Sequence, residues 1–366
     1  LGDQWGLGQS YQWLGYCHSW MGNYSKSNEM FVKSLGTYRG IGDLWETGMI
    51  IGGLFTNYYQ MSNYEKANDY AREYKIISSK LSDYYGLSRS YQSIAWCMIE
   101  KGDFDGAEDY INESIQICAE KKIYFNLCVS NIEMGVLYCE KNDHDRALQY
   151  FREAEKMDME NSFIKEYTAL LYIGIAECSL KKMIWDKSYD FTVSRKDVSD
   201  IKKACLLALA KTAHFINNRA YALRIYAEFN DAVNRPKRAE SMYLKSIQHA
   251  MSLGRRYEQA RSLMSYGLFC RRRGNEAEAV SRLKAAHSIF TEIGAQGYAS
   301  KLSEMFGVYV PEKHSSGQYF DHQRLAAIMM LGQDISSILD LDELLEQILN
   351  KAVEVTGAQR GYLFIR

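Results

Sequence analysis

The sequence predicts an all-α solenoid, a superhelical stack of about seven helical hairpins, each close to 40 residues long. Three observations lead there. Small residues recur at a fixed interval: Ala67, Ala107 and Ala147 are 40 apart, Ser27 stands 40 before the first, and Ala239 and Ala279 repeat the interval. Two further sets keep step, Gly15, Ala95, Gly135, Ala227 and Gly267, then Ser34, Ser114, Ala154, Ser194, Ser246 and Ala286. The 366 residues hold only two prolines, Pro236 and Pro311, so few breakers interrupt helix. Self-similarity of this period marks a repeat array, in which each unit packs only on its neighbours. Function in such an array lies on its surface rather than in an enclosed catalytic pocket.

Each unit reads as two helices and a tight turn. The turns are Gly22-Asn23, Ser62-Asn63, Gly102-Asp103, Asn142-Asp143, Asn234-Arg235 and Gly274-Asn275, residue types that tolerate left-handed or turn backbone. An aromatic often follows, as at Tyr24, Tyr64 and Phe104. The first helix of a unit carries apolar residues at helical spacing, such as Tyr91, Ile94, Ala95 and Met98; the second does so with Phe104, Ala107 and Ile111. The periodic small residues fit where two helices cross closely and a larger side chain faces them.

The units are expected at 3–42, 43–83, 84–122, 123–162, 163–218, 219–255 and 256–296, with a cap helix at about 297–306. Two departures stand out. Phe55 occupies a small-residue position, so the second unit must repack locally. The fifth has Lys187 in place of Ala and Met183 in place of a turn residue, and the register then slips by 12 residues before Leu223. An insertion is therefore expected near 195–218, as a lengthened or extra helix around Ile201 to Phe215, with a change in superhelix curvature.

These patterns resemble the tetratricopeptide repeat (TPR). Leu14-Gly15, Ile94-Ala95, Met134-Gly135, Tyr226-Ala227 and Tyr266-Gly267 match the first helix of its signature; Ala107-Ile111-Ser114, Ala147-Phe151-Ala154 and Ala239-Tyr243-Ser246 match the second. The resemblance covers about 3–296 and implies a right-handed superhelix. The family repeat is about 34 residues, so helices here should be longer.

After a polar linker at 307–319, the chain changes character. Residues 320–338 form an amphipathic pattern with Leu325, Ile328, Met329, Ile335 and Ile338. A second helix from Leu341 ends at Thr356-Gly357-Ala358, and Arg360 to Ile365 reads as a strand. This resembles the start of a GAF domain, an α/β sensor fold, over 320–366. The chain opens on Leu1 and reads as a segment of a longer protein.

Composition narrows the function. No apolar run reaches the roughly 20 residues of a membrane span, and a cytoplasmic location is expected. The eight cysteines form no CxxC pair, sit among apolar neighbours and are expected free and buried; metal-ligand spacing is absent. Gly6-Leu7-Gly8 lacks the third glycine of a dinucleotide loop, and no GxSxG, HExxH or phosphate-loop string occurs. His18, His144 and His322 read as structural. No catalytic residue, cofactor or metal is assigned.

Charge is uneven. Residues 1–194 hold 19 Lys/Arg against 27 Asp/Glu, residues 195–304 hold 20 against 10, and residues 305–366 hold 5 against 8. Arg271, Arg272 and Arg273 end a helix, where cations complement the dipole, and together with Arg255 and Arg256 they also suggest an acidic protein or peptide partner or another domain of the parent chain. Nucleic acid is disfavoured, because the chain is not basic overall.

The resemblance places the first helix of each unit on the inner groove. Gln12, Tyr16, Tyr59, Arg89, Gln92, Trp96, Tyr172, Arg224 and Arg261 then face inward, a set of aromatics and arginines of the kind that peptide interfaces favour. The family's Lys/Asn carboxylate clamp is not evident. Tetratricopeptide arrays followed by a GAF domain resemble the middle of multidomain bacterial sensor kinases. The expected function is non-catalytic interaction and signal relay, with 320–338 passing a shift onward. The alternative is a stand-alone peptide-binding adaptor.

Overall fold

Helix ends in this chain are written by short side chains. In five of the six predicted turns one residue takes positive φ and the next is the Asn or Asp that precedes the second helix; the sixth pairs Asn234 with Arg235. Asn63, Asp103, Asp143 and Asn275 accept the backbone N–H three residues on, which satisfies a donor the helix itself leaves free. The junctions between units use the same device, with positive φ at Gly42, Ser82, Lys122, Ser162, Gly254 and Gly294.

The computed structural model describes residues 2–163, 165–188, 194–213 and 216–305. Its helices are α1 (Gln4–Trp20), α2 (Tyr24–Ile41), α3 (Leu44–Gln60), α4 (Tyr64–Leu81), α5 (Tyr84–Lys101), α6 (Phe104–Lys121), α7 (Tyr124–Glu140), α8 (His144–Asn161), α9 (Lys165–Ser188), α10 (Arg195–Lys211), α11 (Arg219–Ala232), α12 (Pro236–Ser252), α13 (Arg256–Arg272), α14 (Glu276–Glu292) and α15 (Gln296–Met305). They pair as antiparallel hairpins, α1 with α2 through α13 with α14, and each hairpin packs on the next. The linker at 307–319, the connecting helix at 320–338 and the GAF-like start lie outside the described residues.

The fifth unit absorbs its extra length in its own helices. α9 runs on through Met183, where a turn was expected, and reaches 24 residues. α10 begins at Arg195 rather than near Ile201, because Ser194 and Asp197 cap it reciprocally. It packs on α9 and α11 as the second helix of its unit, and among the described residues only a short 3-10 turn, Ile216–Asn218, lies between it and α11.

The periodic small residues have two jobs. The first is steric. A Cβ on Gly15 or Gly53 would come within 2.7 Å of the Phe31 ring, and one on Gly135 or Gly174 within 2.5 Å of the Phe151 ring. Each phenyl is wedged between the first helices of two successive units, so one glycine-flanked aromatic sets both spacings. The second is polar. Ser34, Ser114 and Ser246 donate to the carbonyls of Gly8, Ser88 and Ala220, each 26 residues upstream. Buried hydroxyls need such partners.

Phe55 is explained by the same geometry. Where other units set a glycine or alanine against Phe31, Ile111 or Phe151, this one has Phe55 and Ala71, buried in one cluster with Ala67 and Ile94. Large and small have exchanged sides, so the volume is conserved and the unit keeps its helices.

The array closes on itself across the superhelix axis. Tyr24 donates to Asn217 at 2.7 Å, and Asn217 donates to Glu166 at 2.7 Å. The Tyr257 N–H donates to Ser62 at 2.9 Å. Tyr298 donates to Glu140 at 2.7 Å, and a Cβ on Gly22 would meet Leu253. The first, second and fourth units thus touch the fifth, sixth and seventh units and the cap helix.

The exchange of Phe55 and Ala71 makes a prediction for chemical denaturation. Phe55→Ala should cost about 3–5 kcal/mol by leaving a cavity. Ala71→Phe should cost about 1–3 kcal/mol by overpacking. The double variant should recover at least about 1 kcal/mol of the summed cost. Strict additivity would show that the two do not share one space.

Candidate functional site

The inner faces of α1, α3, α5, α7 and α9 converge on a cavity of about 100 Å³. Its walls come from residues one helical turn apart on each helix: Tyr16 and Trp20, Phe55 and Tyr59, Arg89, Gln92 and Trp96, Val129 and Glu133, Glu166 and Leu170. The aromatics interlock, with Tyr59 stacked on Phe55 and tilted against Trp96 at 6.1 Å, and Tyr16 stacked on Trp20. Drug-sized ligands occupy roughly 300–1,000 Å³. This volume suits the head of one side chain.

Glu133 is the polar group without an obvious local purpose. It is fully buried, and neither carboxyl oxygen has a hydrogen-bond partner. Burial pushes its carboxyl well above the usual range, while Arg89 and the Trp96 indole pull the other way. The Arg89 guanidinium itself lies over the Phe125 ring at 6.0 Å. Across the cavity, Glu166 uses one oxygen on Asn217 and leaves Oε2 unpaired. Burial raises Glu166 to about 7 against the Asn217 hydrogen bond. The cavity therefore presents three unpaired carboxyl oxygens among aromatic rings.

Of the residues predicted to face the groove, Tyr16, Tyr59, Arg89, Gln92 and Trp96 line this cavity. Gln92 donates to the Asn126 carbonyl and Ser130, and Tyr59 donates to Glu100 at 2.7 Å. The remaining candidates lie elsewhere. Gln12 is buried between Glu46 and Tyr38. Tyr172 donates to Asp158 at 2.7 Å. Arg224 and Arg261 sit deep in a charge network, Arg224 paired with Glu228 at 3.0 Å and Arg261 with Glu177 at 3.2 Å. Lys181 bridges Glu140 and Glu177 there, each at 3.2 Å. Burial opposes ionisation of Glu177, yet Lys181, Arg224 and Arg261 hold it down at about 2.

The arginine run at the end of α13 is engaged within the chain. Arg271 pairs with Glu276 at 3.2 Å, Arg272 with Asp231 at 2.6 Å and Arg273 with Asp231 at 3.2 Å. Sequence reasoning passed over Trp20, Glu133 and Glu166. Glu133 had a signal, as a lone acid in the apolar run Ile132 to Gly135. Glu166 had none, because its role depends on Asn217, 51 residues away.

The eight cysteines are free, seven of them buried, with Cys17 exposed. Three metal-capable side chains, Cys139, His144 and Cys178, nevertheless meet, their donor atoms all within 4.8 Å of one another. Their spacing in sequence hid this.

No protein-family model matches the chain, and no curated protein matches it. Solved structures do. A Rap conjugation gene regulator of the plasmid pLS20, in complex with the Phr* peptide, is similar with a TM-score of 0.63 at 11% identity, covering 83% of this chain and 76% of that one. A Rap protein complexed with competence and sporulation factor gives 0.62 at 12%, covering 78% and 75%. NprR in complex with its cognate peptide NprX gives 0.53 at 12%, covering 97% and 100%. At these identities the likeness shows the fold alone, and that fold is a tetratricopeptide-like helical superhelix. Among the described residues no helix is long and apolar enough to cross a membrane.

Two buried acids set a pH response. Burial raises Glu100, like Glu166, from 4.5 to about 7. Between those values the folded chain keeps protons that the unfolded chain has released, so this part of its stability is full below about pH 4.5 and lost as pH rises through 7. Glu166→Gln should match the unaltered chain at pH 4.5 and exceed it at pH 8 by up to about 3 kcal/mol in urea titrations. Equal stabilities at pH 8 would show that Glu166 ionises freely.

Proposed function

We propose that this chain is a partner-binding regulatory segment, and that the inner cavity anchors one cationic side chain of an extended peptide. The observation that carries the reading is the buried Glu133 carboxyl, which has no hydrogen bond of ordinary geometry and only Arg89 and the Trp96 indole as polar neighbours, facing a cage of tyrosine and tryptophan rings. Burying an acid without a partner is costly. An incoming ammonium or guanidinium adds to the positive charge that Arg89 already brings to Glu133, and aromatic faces attract it further. Arg271, Arg272 and Arg273, three of the arginines that suggested an acidic partner, pair within the chain with Glu276 and Asp231, which favours a basic anchor over an acidic one. Two structurally similar proteins, solved in complex with a peptide, support a peptide as the vehicle.

Glu166 links this cavity to the closure of the array. It lines the wall and also accepts from Asn217, which holds Tyr24 of the first unit. A cation that draws Glu166 toward itself competes with that bond, so occupancy and closure are coupled. Such coupling is how a binding module becomes a regulator. Onward relay through 320–338 to a kinase is a further step of the proposal, and the adaptor reading needs only the described residues.

Fluorescence anisotropy with labelled peptides that differ only in Lys, Glu or Ala at one position tests the anchor. Lys peptides should bind best, and more tightly as pH rises, because Glu133 must lose its proton to pair. Glu133→Gln should cost the Lys peptides about 2–5 kcal/mol, roughly 30-fold or more, and leave the Ala peptides unchanged. Trp96→Ala should weaken binding of both Lys and Ala peptides. Preference for Glu peptides, or indifference to Glu133→Gln, would overturn the reading.

A further inference from the structure

From the geometry of Cys139, His144 and Cys178 we infer that the joint between the fourth and fifth units is a three-coordinate site for a thiophilic monovalent metal ion, Cu⁺. The three donors come from three helices. Cys139 sits in the last turn of α7, His144 is the first residue of α8, and Cys178 lies on α9. All three are buried, and their donor atoms lie within 4.8 Å of one another. The site lies in the repeat packing, on residues that the cavity of Tyr16, Trp96 and Glu133 does not use.

Distances fit an ion at the centre. Metal–sulfur and metal–nitrogen bonds of about 2.3 and 2.0 Å, set at a trigonal angle, separate sulfur from nitrogen by about 3.8 Å. Cys178 Sγ stands 3.9 Å from His144 Nδ1. Two sulfurs on one such ion would be about 4.0 Å apart, inside the span that encloses the group. Without an ion, the thiol of Cys178 is held by weak contacts, to the His144 carbonyl at 3.4 Å, to the His144 ring and to Cys139.

The donor set selects the metal. Two thiolates and an imidazole are soft ligands, suited to Cu⁺, Zn²⁺ and iron–sulfur chemistry. Structural zinc is almost always four-coordinate, and among the described residues the group holds three donors. Cu⁺ accepts three. One Cu⁺ with two thiolates and a neutral imidazole carries −1; Lys181, one turn beyond Cys178, stands beside the group and is itself paired with Glu140 and Glu177. Binding replaces two S–H bonds by two S–Cu bonds and releases two protons to solvent. The copper enters and stays as Cu⁺, so no electron is transferred.

The test uses the full chain with Cys17→Ser, which removes the exposed thiol. Under anaerobic conditions the protein competes for Cu⁺ with the bathocuproine disulfonate complex, read by loss of its colour. One Cu⁺ per chain should be withdrawn. Cys139→Ser and Cys178→Ser should each weaken capture by at least about 100-fold, more than loss of an outer-sphere partner usually costs. Cys205→Ser, a buried thiol elsewhere, should leave it unchanged. X-ray absorption on the copper-loaded parent, which no folding defect of a variant affects, should give two sulfurs and one nitrogen. Failure to withdraw Cu⁺, capture that survives both substitutions, a four-coordinate spectrum, or displacement of Cu⁺ by equimolar Zn²⁺ would each overturn the assignment.

Discussion

The close crossing of helices at glycine-flanked aromatics is the constraint on which the array rests. Phe31 and Phe151 each fill a space that a single added Cβ on Gly15, Gly53, Gly135 or Gly174 would invade. Because protein interiors are close-packed, that spacing leaves little freedom in how one hairpin meets the next. The angle repeats, the stack coils, and the inner faces of α1, α3, α5, α7 and α9 are brought around one axis. Phe55 and Ala71 keep the spacing with the sizes exchanged, so volume at the crossing matters more than which helix supplies it.

Coiling has a second consequence. Once the last units return to the first, polar groups far apart in sequence are buried against each other. Asn217 joins Tyr24 and Glu166, and Tyr298 reaches Glu140. Arg261, Lys181, Glu140 and Glu177 form a network that compensates most of its own charge. Buried pairs of this kind add little net stability compared with apolar packing, but losing one partner strands the other. They fix which surfaces meet, and Arg224 and Arg261 belong to this category through their ion pairs.

Against this background Glu133 and Glu166 differ from Glu140 and Glu177. Glu140 and Glu177 are held ionised by cations, although burial opposes it. Burial pushes the carboxyls of Glu133 and Glu166 up from the usual carboxylate range, beside a cavity that opens between aromatic rings. A group kept neutral by its surroundings answers strongly to an arriving positive charge. The same acid that lines the cavity also anchors the closure through Asn217, so binding and shape draw on one residue.

Much of the fold was legible in the sequence because its causes are local and periodic. The turn at Gly102-Asp103 is written in two residues, one for positive φ and one for the helix cap. The alanines at 67, 107 and 147 announce the crossings they occupy. Tyr59, Gln92 and Trp96 could be placed on the inner face from helical register together with the tetratricopeptide resemblance, which puts the first helix of each unit inside. The function of Arg271 to Arg273 could not be read, since Asp231, which neutralises two of them, lies about 40 residues away on the preceding hairpin. Cys139, His144 and Cys178 gave no metal-like spacing because three helices, rather than one loop, bring them together. The sequence by itself determined the helices, their caps and the small-residue crossings, all of which depend on neighbours within about one repeat. Only the tertiary structure decided which charges are neutralised, which acids are left without partners and where the cavity lies. Those outcomes depend on the summed rotation of successive hairpins, which no single repeat encodes.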